Sequence, residues 1–333
     1  MRMAAVVLIL TASGCISEFQ KGQNAYDAGK FEAAVAAWEP LAAKGDSQAQ
    51  ALLGAMYADG KGVAKDDAKA FEWYSLAADQ HVAQAQHALG VMYENGEGVA
   101  SDEAMAIKWY AAAADQGYAA SQCNLGLMYL NGRGGPQNFE EARKWLRFAA
   151  NQGLSEAQYS LGWMYLKGQG GEPDPKEAAK WLRRAAEQGM AIAQANLGLM
   201  YVNGQGVSND DKEAAKWFRK AAEQGSSLAQ TNLGLMYAKG QGVPQDYAEA
   251  IKWYERAANQ RVAVAQNNLG VMYEYGRGVN ADLVTAYMWY RIAAANGNST
   301  AQERRNALAK TLSAEQMEES DRRAAEWLSR HGG

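Results

Sequence analysis

The sequence predicts an all-α protein: a solenoid of 36-residue helical hairpins, closed at both ends by atypical capping hairpins. Three observations carry this. The phrase Gln-x-x-Leu-Gly-x-Met-Tyr returns without a slip, placing glycine at Gly54, Gly90, Gly126, Gly162, Gly198, Gly234 and Gly270. Further columns keep the same register: tyrosine from Tyr57 to Tyr273, tryptophan from Trp73 to Trp289, paired alanines from Ala77-Ala78 to Ala293-Ala294. Each period also holds a Gly-x-Gly break and a helix-capping residue, in the column Asp66, Asp102, Asn138, Asp174, Asp210, Asp246 and Asp282. A fixed period of this length is the mark of stacked supersecondary units, each of which buries its apolar face only against its neighbours.

Taken in order, residues 1–14 read as a signal peptide. Arg2 precedes an apolar run from Met3 to Leu10, too short for a bilayer span, which needs about 20 residues. The small residues Ala12-Ser13-Gly14 before Cys15 resemble a bacterial lipobox, which implies cleavage before Cys15 and its lipidation. Ordinary secretion after Gly14, and a misassigned start or a cytoplasmic protein, are the alternatives. Residues 15–46 form an N-terminal capping hairpin, with Ala25, Tyr26, Phe31, Ala34 and Trp38 as its apolar positions. Residues 47–297 are seven repeats.

The unit around Gly198 shows the logic of a repeat. Ala193, Leu197, Met200 and Tyr201 share one helix face. Gly198 lies beside that face, where a missing Cβ lets a second helix come close. Asn203-Gly204-Gln205-Gly206 ends the helix, and Asp210 caps the next one, predicted from about Asp211 to Gln224. Ala214, Trp217, Phe218 and Ala221 are its buried stripe, and Gly225 is its left-handed stop. His81 and Arg261 stand in that stop column, so strain is expected at both. Residues 298–333 are C-terminal capping helices. Ser313 and Gln316 form a capping box for a helix from about Ala314 to Ser329. Leu308, Leu312, Met317, Ala324, Trp327 and Leu328 are expected to cover the last repeat.

The second helices carry charge pairs three residues apart, Glu141 with Lys144, Glu177 with Lys180, Glu213 with Lys216 and Glu249 with Lys252. Arg147, Arg183, Arg184, Arg219 and Lys220 add positive charge. A solvated outer face is the plain reading, and contact with anionic lipid or cell-wall polymer the sharper one. The formal net charge is −4 and the bases alternate with acids, which argues against nucleic acid.

Units such as Ala193-Gln194-Ala195-Asn196-Leu197-Gly198-Leu199-Met200-Tyr201, Gly204-Gln205-Gly206-Val207 and Ala214-Ala215-Lys216-Trp217-Phe218 resemble Sel-1-like repeats, cousins of the tetratricopeptide repeat. The likeness runs from about Ser47 to Gly297. It implies a right-handed α/α superhelix acting as a non-catalytic adaptor between proteins, often at membranes, and for bacterial members a place in the cell envelope. With the lipobox, it implies a lipid anchor facing the periplasm. Some cysteine-rich members are described as β-lactamases, so an envelope enzyme is one alternative. A structural or polysaccharide-contacting protein is another.

Chemistry-bearing motifs are few. Neither Ser-x-x-Lys nor Gly-x-Ser-x-Gly occurs. The histidines are His81, His87 and His331, with no cysteine or paired acid near in sequence. The Gly-x-Gly loops follow helices rather than strands, unlike phosphate cradles. No catalytic residue, metal site or cofactor is therefore assigned. Cys123 reads as a small filler or a surface residue.

The binding candidates lie on the first helices, which line the concave side of such solenoids. One column reads Ala55, Val91, Leu127, Trp163, Leu199, Leu235, Val271, and another three residues earlier reads Leu52, Ala88, Asn124, Ser160, Asn196, Asn232, Asn268. An apolar row beside an amide row suits an extended peptide, whose backbone the asparagines grip. Tyr159 and Trp163 are the candidate aromatic anchors. The bland alternative is that these side chains only pack between adjacent first helices.

Overall fold

A computed structural model describes residues 17–331. The signal segment and Cys15 lie outside the described residues. The described residues form eighteen α-helices and no strand. Helices α1 (Glu18–Asp27) and α2 (Phe31–Ala43) make the leading hairpin. The first helices of the repeats are α3 (Ser47–Asp59), α5 (Ala83–Asn95), α7 (Ala119–Asn131), α9 (Ser155–Lys167), α11 (Ala191–Asn203), α13 (Ser227–Lys239) and α15 (Ala263–Tyr275). The second helices are α4 (Asp67–Asp79), α6 (Glu103–Asp115), α8 (Phe139–Asn151), α10 (Pro175–Glu187), α12 (Asp211–Glu223), α14 (Tyr247–Asn259) and α16 (Leu283–Ala295). Helices α17 (Ser299–Leu308) and α18 (Ala314–His331) follow. The chain divides into two compact units, one through Gln152 and one from Gly153. Within each, a helix packs on its own hairpin partner and on the helix that follows.

The helix ends obey the column chemistry. Asp210 accepts from the amides of Lys212 and Glu213 at 2.9 and 3.0 Å, and the other second helices are capped by the same column. The capping box closes as expected, Ser313 N–H on Gln316 Oε1 at 2.9 Å and Gln316 N–H on Ser313 Oγ at 3.2 Å. His81 and Arg261 do hold φ of 64° and 61°.

The glycine inside each first helix faces a ring or a leucine of its own hairpin. A Cβ at Gly198 would lie 2.7 Å from Phe218 Cε1, and one at Gly126 2.7 Å from Leu146 Cγ. Phe218 is fully buried with Ala214 and Ala221. The close approach is therefore of side chain to backbone.

The second loop glycine does different work. A Cβ on Gly206 would sit 1.9 Å from the carbonyl oxygen of Pro175, one repeat earlier, and one on Gly242 would sit 2.0 Å from that of Asp211. These loops press on the start of the preceding second helix, so the joint between repeats is backbone on backbone.

The glutamine that opens each repeat phrase, given no role by the sequence reading, holds the same joint. Buried Gln194 donates to the Ala186 carbonyl at 3.0 Å and accepts from Gln224 at 2.8 Å. Gln230 does so with Ala222 and Gln260, Gln86 with Ala78 and Gln116, and Gln50 with Ala42 and Gln80. Each amide gives a second donor to a carbonyl at the end of the previous repeat, which also accepts the backbone N–H three residues on, and is itself satisfied from its own hairpin.

One expectation needs correction. Leu328 is exposed rather than covering the last repeat, because α18 turns Ala324 inward and sets Trp327 against Trp289. Of the two readings of Cys123, small filler or surface residue, its burial selects the filler.

Candidate functional site

In the second unit, Asn196, Asn232 and Asn268 and Leu199, Leu235 and Val271 are all half-buried on first helices. They form two rows on one face, since residues three apart are helix neighbours. A third row, missed in the sequence, lies one turn earlier. Ile192, Leu228 and Val264 are 51%, 44% and 52% exposed. Their spacing of four and seven residues from the other rows puts all three on one surface. The signal was present in the sequence as an aliphatic column confined to these three repeats.

The asparagines are not idle. Asn196 and Asn232 each donate to the carbonyl four residues back, Ile192 and Leu228, both at 2.8 Å. Asn196 also reaches the Tyr159 hydroxyl, and Asn268 that of Tyr254. The expectation that they lack a structural task is thus corrected: one donor of each is used within the fold. The side-chain oxygens of Asn196 and Asn232 are the groups left for a peptide N–H, while that of Asn268 accepts from Asn267 at 3.4 Å.

Tyr159 also departs from expectation. It packs against the alanine and leucine cores of α10 and α11, including Ala185 and Leu197, instead of standing clear of the packed stripe. Burial raises its hydroxyl pKa. Trp163 is half-buried, with its ring centroid 6.5 Å from that of Tyr159 in an edge-on pair. Lys167 lies over its face, 5.4 Å from the centroid. Its indole N–H is buried, as are those of Trp109, Trp181, Trp217 and Trp253, and it bears on the Tyr159 hydroxyl.

The first unit fills the same face with a polar network. Asn124 donates to the Tyr110 hydroxyl oxygen, and Tyr110 donates to Glu94 at 2.6 Å. Arg133 bridges Glu94 and Glu103 at 2.7 and 2.8 Å. His87 meets Ser121 Oγ at 2.9 Å and packs on Tyr110 and Tyr118. Leu127 is half-buried beside this network. Burial, and then the bond to Glu94, hold the Tyr110 hydroxyl far above the usual tyrosine range. His87 is pushed down, first by burial.

Seven successive segments, 47–82, 83–118, 119–154, 155–190, 191–226, 227–262 and 263–298, match the Sel1 repeat model. The chain belongs to the Sel1 repeat family. A crystal structure of a Sel1 repeat protein from Oxalobacter formigenes is 36% identical, with a TM-score of 0.65 over 87% of this chain and 86% of that one. Two exopolysaccharide production negative regulators, from Rhizobium leguminosarum bv. viciae and Rhizobium meliloti, are 44% and 41% identical over 70 residues. That stretch is 21% of this chain and 26% of each regulator. Sel1 repeats are interaction modules, and this chain is a repeat solenoid of that kind.

Among the described residues no three of His, Cys, Asp and Glu come together as a metal site requires, and no helix is long and apolar enough to cross a membrane. His331 stacks on Trp327 and bonds its carbonyl at 3.0 Å, while His81 is an exposed turn residue.

Proposed function

We propose that this Sel1 repeat protein is a non-catalytic scaffold that receives an extended peptide segment of a protein partner on its first-helix face. The row Ile192, Leu228 and Val264 carries this reading. Three aliphatic side chains near half exposure, repeated at one position, leave apolar area in water that a partner removes. The adjoining Asn196 and Asn232 supply acceptors for peptide N–H groups, while Leu199 and Leu235 extend the apolar surface. Trp163, a large aromatic in a column of smaller aliphatic residues, is the anchor. Nucleic acid is not the ligand.

The protein works in a bacterial envelope, held by lipid on Cys15 and facing the periplasm. The sequence Ala12-Ser13-Gly14-Cys15 supports the anchor. The likeness to exopolysaccharide regulators supports a task in surface-polymer control. Labelled palmitate should enter the wild type and not Cys15→Ala, and equal labelling removes the anchor.

Photo-crosslinkers placed in cells at Ile192 or Leu228 should capture one protein that a crosslinker at Lys216 does not. Affinity for that partner should fall by about 2 kcal/mol or more in Trp163→Ala. Asn196→Ala with Asn232→Ala should weaken it further, each unmatched buried peptide group costing about 1–3 kcal/mol. Capture from Lys216 alone places the binding face on the second helices.

A further inference from the structure

The second helices of the second unit hold a different feature. A cavity of about 460 Å³ opens between α10 and the loop that follows α11. Its floor is apolar, from Ala179 and Val207. Its rim carries Lys176, Arg183 and Arg184, with Glu187 at one end. None of these three cations stands in an ion pair among the described residues, whereas the neighbouring Lys180 is paired with Glu177. Both guanidinium groups are held in place. Arg183 donates to the Tyr201 hydroxyl at 2.5 Å and lies 5.8 Å from that ring's centroid, and Arg184 lies 4.4 Å from the centroid of Trp181. Pre-placed guanidiniums lose little freedom on meeting a carboxylate, which they take in a two-pronged bond.

The same rim recurs one repeat later. Arg219 donates to Tyr237, and Lys220 lies 4.5 Å from the centroid of Trp217. At the next copy Glu255 replaces the outer arginine and burial raises its pKa, while Arg256 still lies 4.5 Å from the centroid of Trp253. The paired arrangement, both columns cationic, is thus found on α10 and α12.

We propose that this face is a second docking site, for a short acidic segment of a partner protein that carries one aliphatic or aromatic anchor residue. The carboxylates meet Arg183 and Arg184, and the anchor fills the cavity over Ala179 and Val207. Two observations select this ligand among anions. The apolar floor gives nothing to a phosphate or a hydroxyl-rich sugar, but stabilises a hydrocarbon side chain. Glu187 on the rim repels a densely charged polymer and tolerates a sparsely charged segment, whose backbone N–H it accepts. The site is independent of the first-helix face.

The test uses the full chain and a fluorescent peptide, Gly-Asp-Glu-Leu-Glu-Asp-Gly, in an anisotropy titration at low salt. Replacing the peptide's leucine by alanine should weaken binding about tenfold. Arg183→Gln with Arg184→Gln should weaken it about tenfold or more, and raising salt to about 0.3 M should weaken it several-fold. Val207→Ser should act like the leucine replacement, with the circular dichroism spectrum unchanged. Trp163→Ala should leave the titration unmoved, so a failure here is separable from one at the first-helix face. The proposal is overturned if the alanine peptide binds as well as the leucine peptide, or if the double arginine variant retains affinity. It also falls if polyphosphate, polygalacturonate or phosphatidylglycerol vesicles displace the peptide at lower charge concentration than an unlabelled copy does.

Discussion

The joints between repeats and the exposed side of the first helices are built by opposite rules. At the joint, the residue type hardly changes from copy to copy. Gly98, Gly206 and Gly242 each touch a backbone carbonyl of the preceding repeat, and Gln86, Gln194 and Gln230 each bridge two hairpins. On the first helices, the column containing Ile192 runs Gln48, Gln84, Ala120, Glu156, Ile192, Leu228, Val264. What differs is the neighbour. A joint residue meets a fixed backbone atom of an identical unit, so one solution serves all copies. A face residue meets whatever the adjacent face column supplies, or water. Invariance along the repeats thus reports contact with backbone, and variation marks where individual function can be written.

The comparison breaks hardest at the loops. Gly206→Ala forces a Cβ onto the Pro175 carbonyl at a φ of 72°, combining overpacking with left-handed strain. A loss of about 3 kcal/mol or more is expected in urea titration. The control is Gly225→Ala, also at positive φ but with nothing within 4 Å, expected to cost about 1 kcal/mol. If the two variants melt alike, contact with the preceding repeat is not what keeps the loop glycine.

Next in size is the glutamine bridge. Gln194→Ala removes two hydrogen bonds, although the Ala186 carbonyl keeps the Gly189 N–H and the Gln224 amide its contact with the Lys220 carbonyl, at a cost of about 1–2 kcal/mol. Because the bridge joins repeats, the melting transition should also broaden as coupling between neighbours falls. A sharp transition at lower temperature would mean that the bridge stabilises a hairpin and not the joint.

A smaller effect of opposite sign comes from the stop column. Arg261 holds a left-handed φ of 61° that a glycine adopts freely. Arg261→Gly should therefore stabilise the protein by up to about 1 kcal/mol, read as a raised melting midpoint.

These residues also show how far the sequence carried. Period, caps, stops and the close-approach glycine were legible because each is a local rule repeated seven times. The glutamine bridge was not, although the letter was plain: its partners lie thirty residues ahead and eight behind, a distance that only the stacking brings together. The face was half legible. Asn196 and Leu199 were found as columns, but the exposed Ile192 row was passed over because it occupies only part of the chain. Tyr159 was misjudged for a related reason. A helical wheel gives its direction on α9, but not that α10 and α11 rise to meet it.

The smallest effect is a pH dependence of the first unit. His87 is half-buried between Tyr110 and Tyr118, and burial holds its pKa below the ordinary 6.5, while the charge of nearby Glu94 opposes this more weakly. As pH falls through that value, the unfolded chain takes up a proton before the folded one does. Stability is therefore complete above pH 6.5 and is lost progressively as pH falls from there toward the depressed folded value. The melting midpoint of the wild type should drop between pH 7.5 and 5.5, and His87→Asn should remove most of that slope while leaving a bond to Ser121 within reach. An unchanged slope in His87→Asn would assign the pH dependence to other groups. It would mark the His87 cluster as a packing site indifferent to proton uptake.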